Sequence, residues 1–348
     1  MKSVTLNKVL IADLRKLIAN AKQDVARSVN SALVILYWNI GQRIRKEILK
    51  EKKAEYGREI LSTLSRKLIE EFGNGFSQAN LFRRTRFAEV YQNPKILYTL
   101  CAKLSWSHFV EIIPLKEELQ RDFYAEMCRI ENWGVRILRQ KISGMLFERT
   151  ALSKKPAELA KQELAALREE DKLTPDLVFR DPYFLDFLGL KDTYSEKDIE
   201  AAILRDLENF ILELGVGFTF IARQKRIIVD NEDHHLDLLF YHRKLRRLVA
   251  IALKLGKFQA ADKGQMELYL RWLEQHEQQP GEETPVGLIL CAGKSEEHVE
   301  LLQLRKSGIR VATYLTELPP RELLQKETAR SSRLSQSATR AQSNRTCP

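Results

Sequence analysis

From Asn7 to about Lys155 apolar residues recur at helical spacing. The clearest stripe runs from Ile11 to Ile40 through Leu14, Leu17, Ile18, Ala21, Val25, Val29, Leu33, Leu36 and Tyr37. Such a stripe needs a partner to bury it, and later segments can supply one. Ile60, Leu61, Leu64 and Leu68 make a second stripe, ended by Gly73-Asn74-Gly75. Ser77 then stands as the N-cap of a helix through Phe82 and Phe87, and Ser105-Trp106-Ser107-His108 opens another amphipathic run. Trp38, Trp106, Trp133 and Trp272 fall on helical apolar faces, where core packing is the expected role. Residues 1–153 are therefore expected to form an all-helical domain.

Residues 154–197 combine a charged, Ala-rich stretch with a segment carrying Pro175, Pro182 and several aromatics, a solvated helix followed by a packed connector. At Asp198 the pattern changes. One helix (Ile199, Ile203, Leu207, Phe210, Ile211, Leu214) stops at Gly215 and Gly217. Three β-like runs follow, Phe218 to Val229, Leu236 to His242 and Leu248 to Leu255, separated by turn signals, so a meander is expected. A helix from Asp262, a strand from Val286 to Cys291, a helix from Glu296 and a strand from Arg310 to Thr316 complete the order α-β-β-β-α-β-α-β. That order predicts a mixed sheet flanked by helices over residues 198–326. Residues 327–348 are Ser, Thr, Gln, Asn and Arg with almost no apolar side chains, and are expected to be a disordered tail.

Composition narrows the function classes. At 348 residues and 44 % hydrophobic, the chain is long enough for two domains with real cores. No uncharged apolar run approaches the roughly 20 residues of a membrane span. The start, Met1-Lys2-Ser3-Val4, lacks the apolar stretch of a signal peptide, so a cytoplasmic protein is expected. Cys101, Cys128, Cys291 and Cys347 lie far apart, which argues against disulfides and zinc ribbons. The net charge of +10 favours a polyanionic partner, although many soluble proteins this basic bind nothing anionic. The tail carries +3 of it.

Candidate chemistry sits in Leu236-Asp237-Leu238-Leu239-Phe240-Tyr241 and Leu248-Val249-Ala250-Ile251-Ala252-Leu253-Lys254. Alternation puts Ala250, Ala252 and Lys254 on one face, so Lys254 is the polar member of an apolar strand. Burying its ammonium costs several kcal/mol, about, unless carboxylates or phosphates are near. Asp237 on the neighbouring strand can be that partner. The same spacing also fits an edge strand whose Asp and Lys face water. His234, His235 and His242 flank the strand without a second set of soft ligands, so zinc is not favoured.

The two halves together resemble the YhcG-type family, which joins a helical N-terminal domain to a PD-(D/E)XK nuclease domain. Matching residues in the first half include Leu36-Tyr37-Trp38, Ile40-Gly41, Gly75-Phe76-Ser77, Asn80-Leu81 and Leu104-Ser105-Trp106-Ser107-His108. In the second they include Leu207-Glu208, Leu212-Glu213-Leu214-Gly215, Arg223-Gln224, Asp237 to His242, Leu253-Lys254, Gly256-Lys257-Phe258, Gly264-Gln265-Met266 and Tyr269-Leu270. The resemblance covers residues 10 to 326 and implies a restriction-endonuclease-like fold in which strand carboxylates hold Mg²⁺ and a lysine helps prepare the attacking water. It implies Asp237 as first metal ligand, Lys254 as the motif lysine and Glu208 as the helix acid that also reaches the metal. Gln265 and Tyr269, one turn apart, are candidates to orient the lysine or the scissile phosphate, or are simply a helix face packed on the sheet. Family members continue the helix after Leu324 in amphipathic form, so the tail reads as out-of-frame translation.

One departure matters. The family pattern has Asp or Glu two residues before the lysine, where this chain has Ala252, and a methyl cannot ligate Mg²⁺. Asp262 and Glu267 are the nearest carboxylates in sequence that could substitute. Arg83, Arg84 and Arg86, the turn Arg243, Lys244, Arg246 and Arg247, and Lys257 are candidates to contact phosphates, or are solvated surface charge. Three classes stay open: a metal-dependent DNA endonuclease of weak activity, a nucleic-acid-binding protein without catalysis, and an interaction module that forms a homo-oligomer through its helical half.

Overall fold

The computed structural model describes residues 8–50, 54–190 and 194–317. The tail expected at 327–348 lies outside the described residues. The chain divides into two compact units, Met1–Gly144 and Met145–Pro348. No described helix is long and apolar enough to cross a membrane.

The first unit is helical: α1 (Lys8–Lys50), α2 (Ala54–Phe72), α3 (Gln78–Val90), α4 (Pro94–Cys101), α5 (Trp106–Ile112), α6 (Glu118–Glu131) and α7 (Val135–Ser143). α2 ends where expected, at Gly73 with φ 84°, and Ser77 precedes α3 without a side-chain capping bond. The second half of α1 crosses α3 closely at Gly41, where a Cβ would lie 2.0 Å from the Arg84 carbonyl oxygen, so only glycine permits the approach. Trp38 Nε1 donates to the Tyr91 carbonyl at 2.7 Å, and Ser31 Oγ donates to the Cys101 carbonyl at 2.8 Å. His108 closes the cap of α5 through Nδ1 at 3.0 Å from the Ser105 N–H, while its Nε2 is 2.9 Å from the Trp133 carbonyl. The first half of α1 departs from expectation. Leu14, Leu17, Ile18, Val25 and Val29 remain exposed, because α3, α4 and α5 are short and cover α1 only from about residue 30 onward.

The second unit opens with α8 (Leu146–Arg149), α9 (Ala157–Glu170), α10 (Pro175–Val178) and the short strand β1 (Tyr183–Phe184). Then come α11 (Glu196–Arg205), α12 (Leu207–Leu214), β2 (Phe218–Val229), β3 (Glu232–His242), β4 (Arg247–Lys257), α13 (Ala260–His276), β5 (Val286–Gly293), α14 (Glu296–Leu301) and β6 (Ile309–Leu315). The six strands lie in the order β1-β6-β5-β4-β3-β2. The β2-β3-β4 meander is antiparallel, whereas β4, β5, β6 and β1 run parallel. This is the mixed sheet with flanking helices that the pattern predicts.

Two details differ from the sequence reading. The segment from Ile199 to Leu214 is two helices, broken at Asp206 (φ −121°, ψ 46°), so Glu200 and Glu208 belong to different helices. Part of the connector also joins the sheet: β1 pairs with β6 through Tyr183↔Tyr314 and Phe184↔Leu315. Behind β1, Glu213 accepts from Arg149 Nη1 at 2.5 Å, from Arg180 and from the Phe184 N–H at 2.9 Å. Those donors hold its carboxyl below the usual range against the opposing effect of burial, which is the largest influence on it.

Candidate active site

The backbone pairing of β3 with β4 runs from His242↔Arg247 to Leu238↔Ile251. One step further along, the Leu253 N–H donates to a side chain, Asp237 Oδ2, at 2.8 Å. A carboxylate thus takes over a backbone hydrogen bond where the strands part. Leu239 and Ala250 lie opposite each other, so alternation places Asp237, Ala252 and Lys254 on their face of the sheet. Helix α13 covers that face, and Ala250 and Ala252 share one buried cluster with Met266, Tyr269, Leu270 and Leu273.

Asp237 is half-buried. Burial raises its carboxyl above the usual range, and the Glu200 carboxylate pushes in the same direction. The Leu253 N–H, the Gln224 amide and the Lys254 ammonium oppose the rise. Gln224 lies opposite Asp237 on β2, between the pairs Arg223↔Leu238 and Lys225↔Leu236, with φ 45°. That left-handed backbone within a strand marks local strain beside the carboxylate. Gln224 Nε2 stands 3.3 Å from Asp237 Oδ1 and 2.6 Å from Glu200 Oε2.

The helix acid brought to Asp237 is therefore Glu200 of α11, which is buried, whereas Glu208 is exposed on α12. The expectation for Glu208 treated residues 199–214 as one helix, and the break at Asp206 removes that premise. A signal was present in the sequence: Glu200 interrupts the apolar positions Ile199, Ala202 and Ile203, all buried.

Lys254, Gln265 and Tyr269 do come together. Lys254 Nζ donates to Gln265 Oε1 at 3.3 Å, and Gln265 Nε2 donates to the Tyr269 hydroxyl at 2.6 Å. Tyr269 donates in turn to the His235 carbonyl of β3 at 3.1 Å. The amide thus fixes the lysine from α13, and the phenol anchors the amide to the sheet.

Ala252 is 6 % exposed and offers only a methyl group. Asp262 caps α13, accepting from the Gln259 N–H at 2.8 Å, and lies 3.8 Å from Lys254 Nζ. Glu267 bonds with Ser307 and pairs with Lys263 at 3.4 Å, interactions that lower its pKa. Neither is bonded to Asp237 or Glu200. Among the described residues, no group of three or more His, Cys, Asp or Glu is arranged to hold a metal ion. Magnesium takes about six oxygen ligands in a near-ideal octahedron. Asp237 and Glu200 supply oxygens, but both already face Gln224 Nε2, one Asp237 oxygen is held by Leu253, and Ala252 supplies none. The residues present do not complete a magnesium site.

The basic residues divide. Arg84 is buried, with its guanidinium 4.0 Å from the Tyr37 ring centroid and 4.5 Å from that of Phe76, and it donates to the Gly75 carbonyl at 3.0 Å. It is a packing residue of the first unit. Arg83 and Arg86 instead line an open groove of about 740 Å³ with Phe82 and Lys116. The Arg243, Lys244, Arg246, Arg247 turn sits at the start of β4, seven residues from Lys254, hence roughly 23 Å along the strand. Arg246 and Arg247 there face Glu283 at 3.4 and 3.9 Å. Lys257 is exposed at the Lys254 end of the same strand.

Residues 13–149 match the DUF1016 N-terminal domain, and residues 176–329 match the YhcG PDDEXK nuclease domain. A relative from Escherichia coli (strain K12), named "Putative nuclease YhcG", is 35 % identical over 346 residues, covering 90 % of this chain and 91 % of the relative. Solved structures overlap more slightly. A repair endonuclease from Pyrococcus abyssi is 24 % identical with a TM-score of 0.26, over 37 % of this chain and 50 % of that one. EndoMS in a complex with double-stranded DNA is 15 % identical with a TM-score of 0.27, over 37 % of this chain and 49 % of that one. Overlap this small carries no functional weight.

Proposed function

The chain belongs to the YhcG family of PD-(D/E)XK nuclease-type proteins, and on that premise we propose that it acts on DNA with a degenerate hydrolytic site, so that binding persists while cleavage is weak or lost. The observation that carries this reading is the buried methyl of Ala252, two residues before Lys254, on the face that also holds Asp237. Two further contacts support the reading. Glu200 and Asp237 converge through Gln224, and Lys254 is held by Gln265.

In this reading Lys254 presents its ammonium to a phosphate oxygen, where it offsets charge on the backbone. Gln265 and Tyr269 are positioning residues that fix the lysine. Asp237 and Glu200 are the acceptors left from the ligand set. Arg83, Arg86 and Lys257 add phosphate contacts that carry no sequence information.

The test is a titration of the full chain against labelled duplex DNA over a salt series, beside incubation with supercoiled plasmid and magnesium. The reading expects affinity that falls steeply with salt and little or no nicking. Absence of binding at low salt would remove the DNA assignment, and brisk nicking by the unaltered chain would remove the degeneracy.

A further inference from the structure

Helix α1 is 43 residues long, and its packing contacts within the first unit begin near its middle. The long-range side-chain bonds it makes start at Asn30, which donates to the Leu104 carbonyl at 3.2 Å, and continue through Ser31, Trp38 and Gln42. Before that point the helix carries apolar side chains and nothing in the described unit covers them. Leu14, Ile18, Val25, Val29, Leu33 and Leu36 are between 41 and 64 % exposed; with the exposed Ala21 they recur every three or four residues along one face, which runs on past Asn30. Elsewhere α1 shows Arg15, Lys16, Lys22, Asp24 and Arg27 to solvent. A surface helix of a soluble protein does not keep a ridge of this length in water without something to bury it.

We infer that this ridge is a self-association surface, and that its occupant is α1 of a second copy lying antiparallel to it. The ridge is self-complementary in that orientation. When Leu14 of one copy faces Leu33 of the other, Ile18 faces Val29, and the register continues inward to Ala21 and Val25 at the centre. The small Ala21 permits close approach there. From Leu14 to Leu33 the contact runs about 30 Å at 1.5 Å per residue. Side chains at about half exposure leave on the order of 80 Å² each to cover, so two copies would bury roughly 1,000 Å², the lower edge of a stable specific interface. The closed two-fold arrangement satisfies both ridges at once and leaves no free end on which further copies could add. This proposal does not depend on what the second unit binds.

The experiment is sedimentation velocity on the full chain from 1 to roughly 50 µM, with Ile18→Glu and Val25→Glu beside it. Both positions are exposed, so the variants keep the fold, which circular dichroism verifies. The expected result is a dimer for the unaltered chain and a monomer for each variant, with association weakened at least 100-fold. A chain that stays monomeric over that range, or variants that dimerise as well as the parent, would overturn the proposal. Orientation is read separately in a Cys347→Ser background. Val25→Cys, near the two-fold axis, should oxidise to a cross-linked dimer, and Leu14→Cys, far from its own mate, should not. Efficient cross-linking at Leu14→Cys would reject the antiparallel arrangement.

Discussion

Glu200 and Asp237 meet through a single nitrogen: Gln224 Nε2 lies 2.6 Å from the first and 3.3 Å from the second. Two carboxylates at one partly buried place are costly unless a donor stands between them. The amide supplies that donor from a strand residue whose backbone is in the left-handed region. Its position accounts for a site that keeps its acids together although the third carboxylate of the pattern is absent.

Gln224→Ala should therefore destabilise the second unit by about 1–2 kcal/mol at pH 7. The sign of its pH dependence follows from Asp237, whose carboxyl is already raised by burial. A raised carboxyl contributes stability below the unfolded value, lost as pH rises through the folded value. Without the amide the carboxyl rises further, so the penalty should shrink towards pH 4. Urea denaturation of both proteins at pH 7 and pH 4 measures this, and an equal penalty at both would mean the amide does not act on the carboxylates.

Acid should also act through His242. This side chain is fully buried on β3, its Nδ1 accepting from the Leu245 N–H at 3.1 Å, and burial pulls its pKa down to about 4, with Lys244 adding to the effect. A depressed histidine costs stability as pH falls below its unfolded value of about 6.5, because the unfolded chain then binds a proton that the native state refuses. The full effect, reached near pH 4, is roughly 3 kcal/mol. His242→Gln should flatten the stability profile between pH 6.5 and 4 relative to the parent, which thermal melts at stepped pH can check.

The three arginines of α3 should separate cleanly. Arg84→Lys loses planar stacking between Tyr37 and Phe76 and should cost about 2 kcal/mol of stability while leaving DNA affinity unchanged. Arg83→Ala and Arg86→Ala, at the groove beside Phe82, should each reduce the salt slope of binding by about 1 with little change in stability. Thermal melts and anisotropy titrations on the same samples distinguish the two outcomes.

Much of the second unit was legible in the chain because its strands alternate cleanly and its turns are marked. The meander and the mixed sheet follow from the spacing of the strands, whereas the Lys254, Gln265, Tyr269 relation came from the family resemblance and only the one-turn spacing of Gln265 and Tyr269 was legible by itself. Glu200 stood among the apolar positions Ile199, Ala202 and Ile203, but choosing it over Glu208 needed the break at Asp206, which nothing in the run from Ile199 to Leu214 announces. Arg84 was hidden for a different reason. Adjacent arginines read as one patch, but helical rotation turns the middle one inwards and its neighbours out. The ridge on α1 was visible as a stripe, although spacing alone does not reveal that the later helices are too short to cover it.

On the proposed reading, Ala252 stands where a cleaving site would carry a carboxylate, and plasmid nicking by Ala252→Glu beside the unaltered chain decides whether it does. Folded protein is matched by circular dichroism, since a carboxylate within the Met266 and Tyr269 cluster will cost some stability. With magnesium at saturating concentration, the variant should nick supercoiled DNA at least 100-fold faster than the parent, and Asp237→Ala in the same background should abolish the gain. A parent already as active as Ala252→Glu would show that the methyl at this position does not limit cleavage.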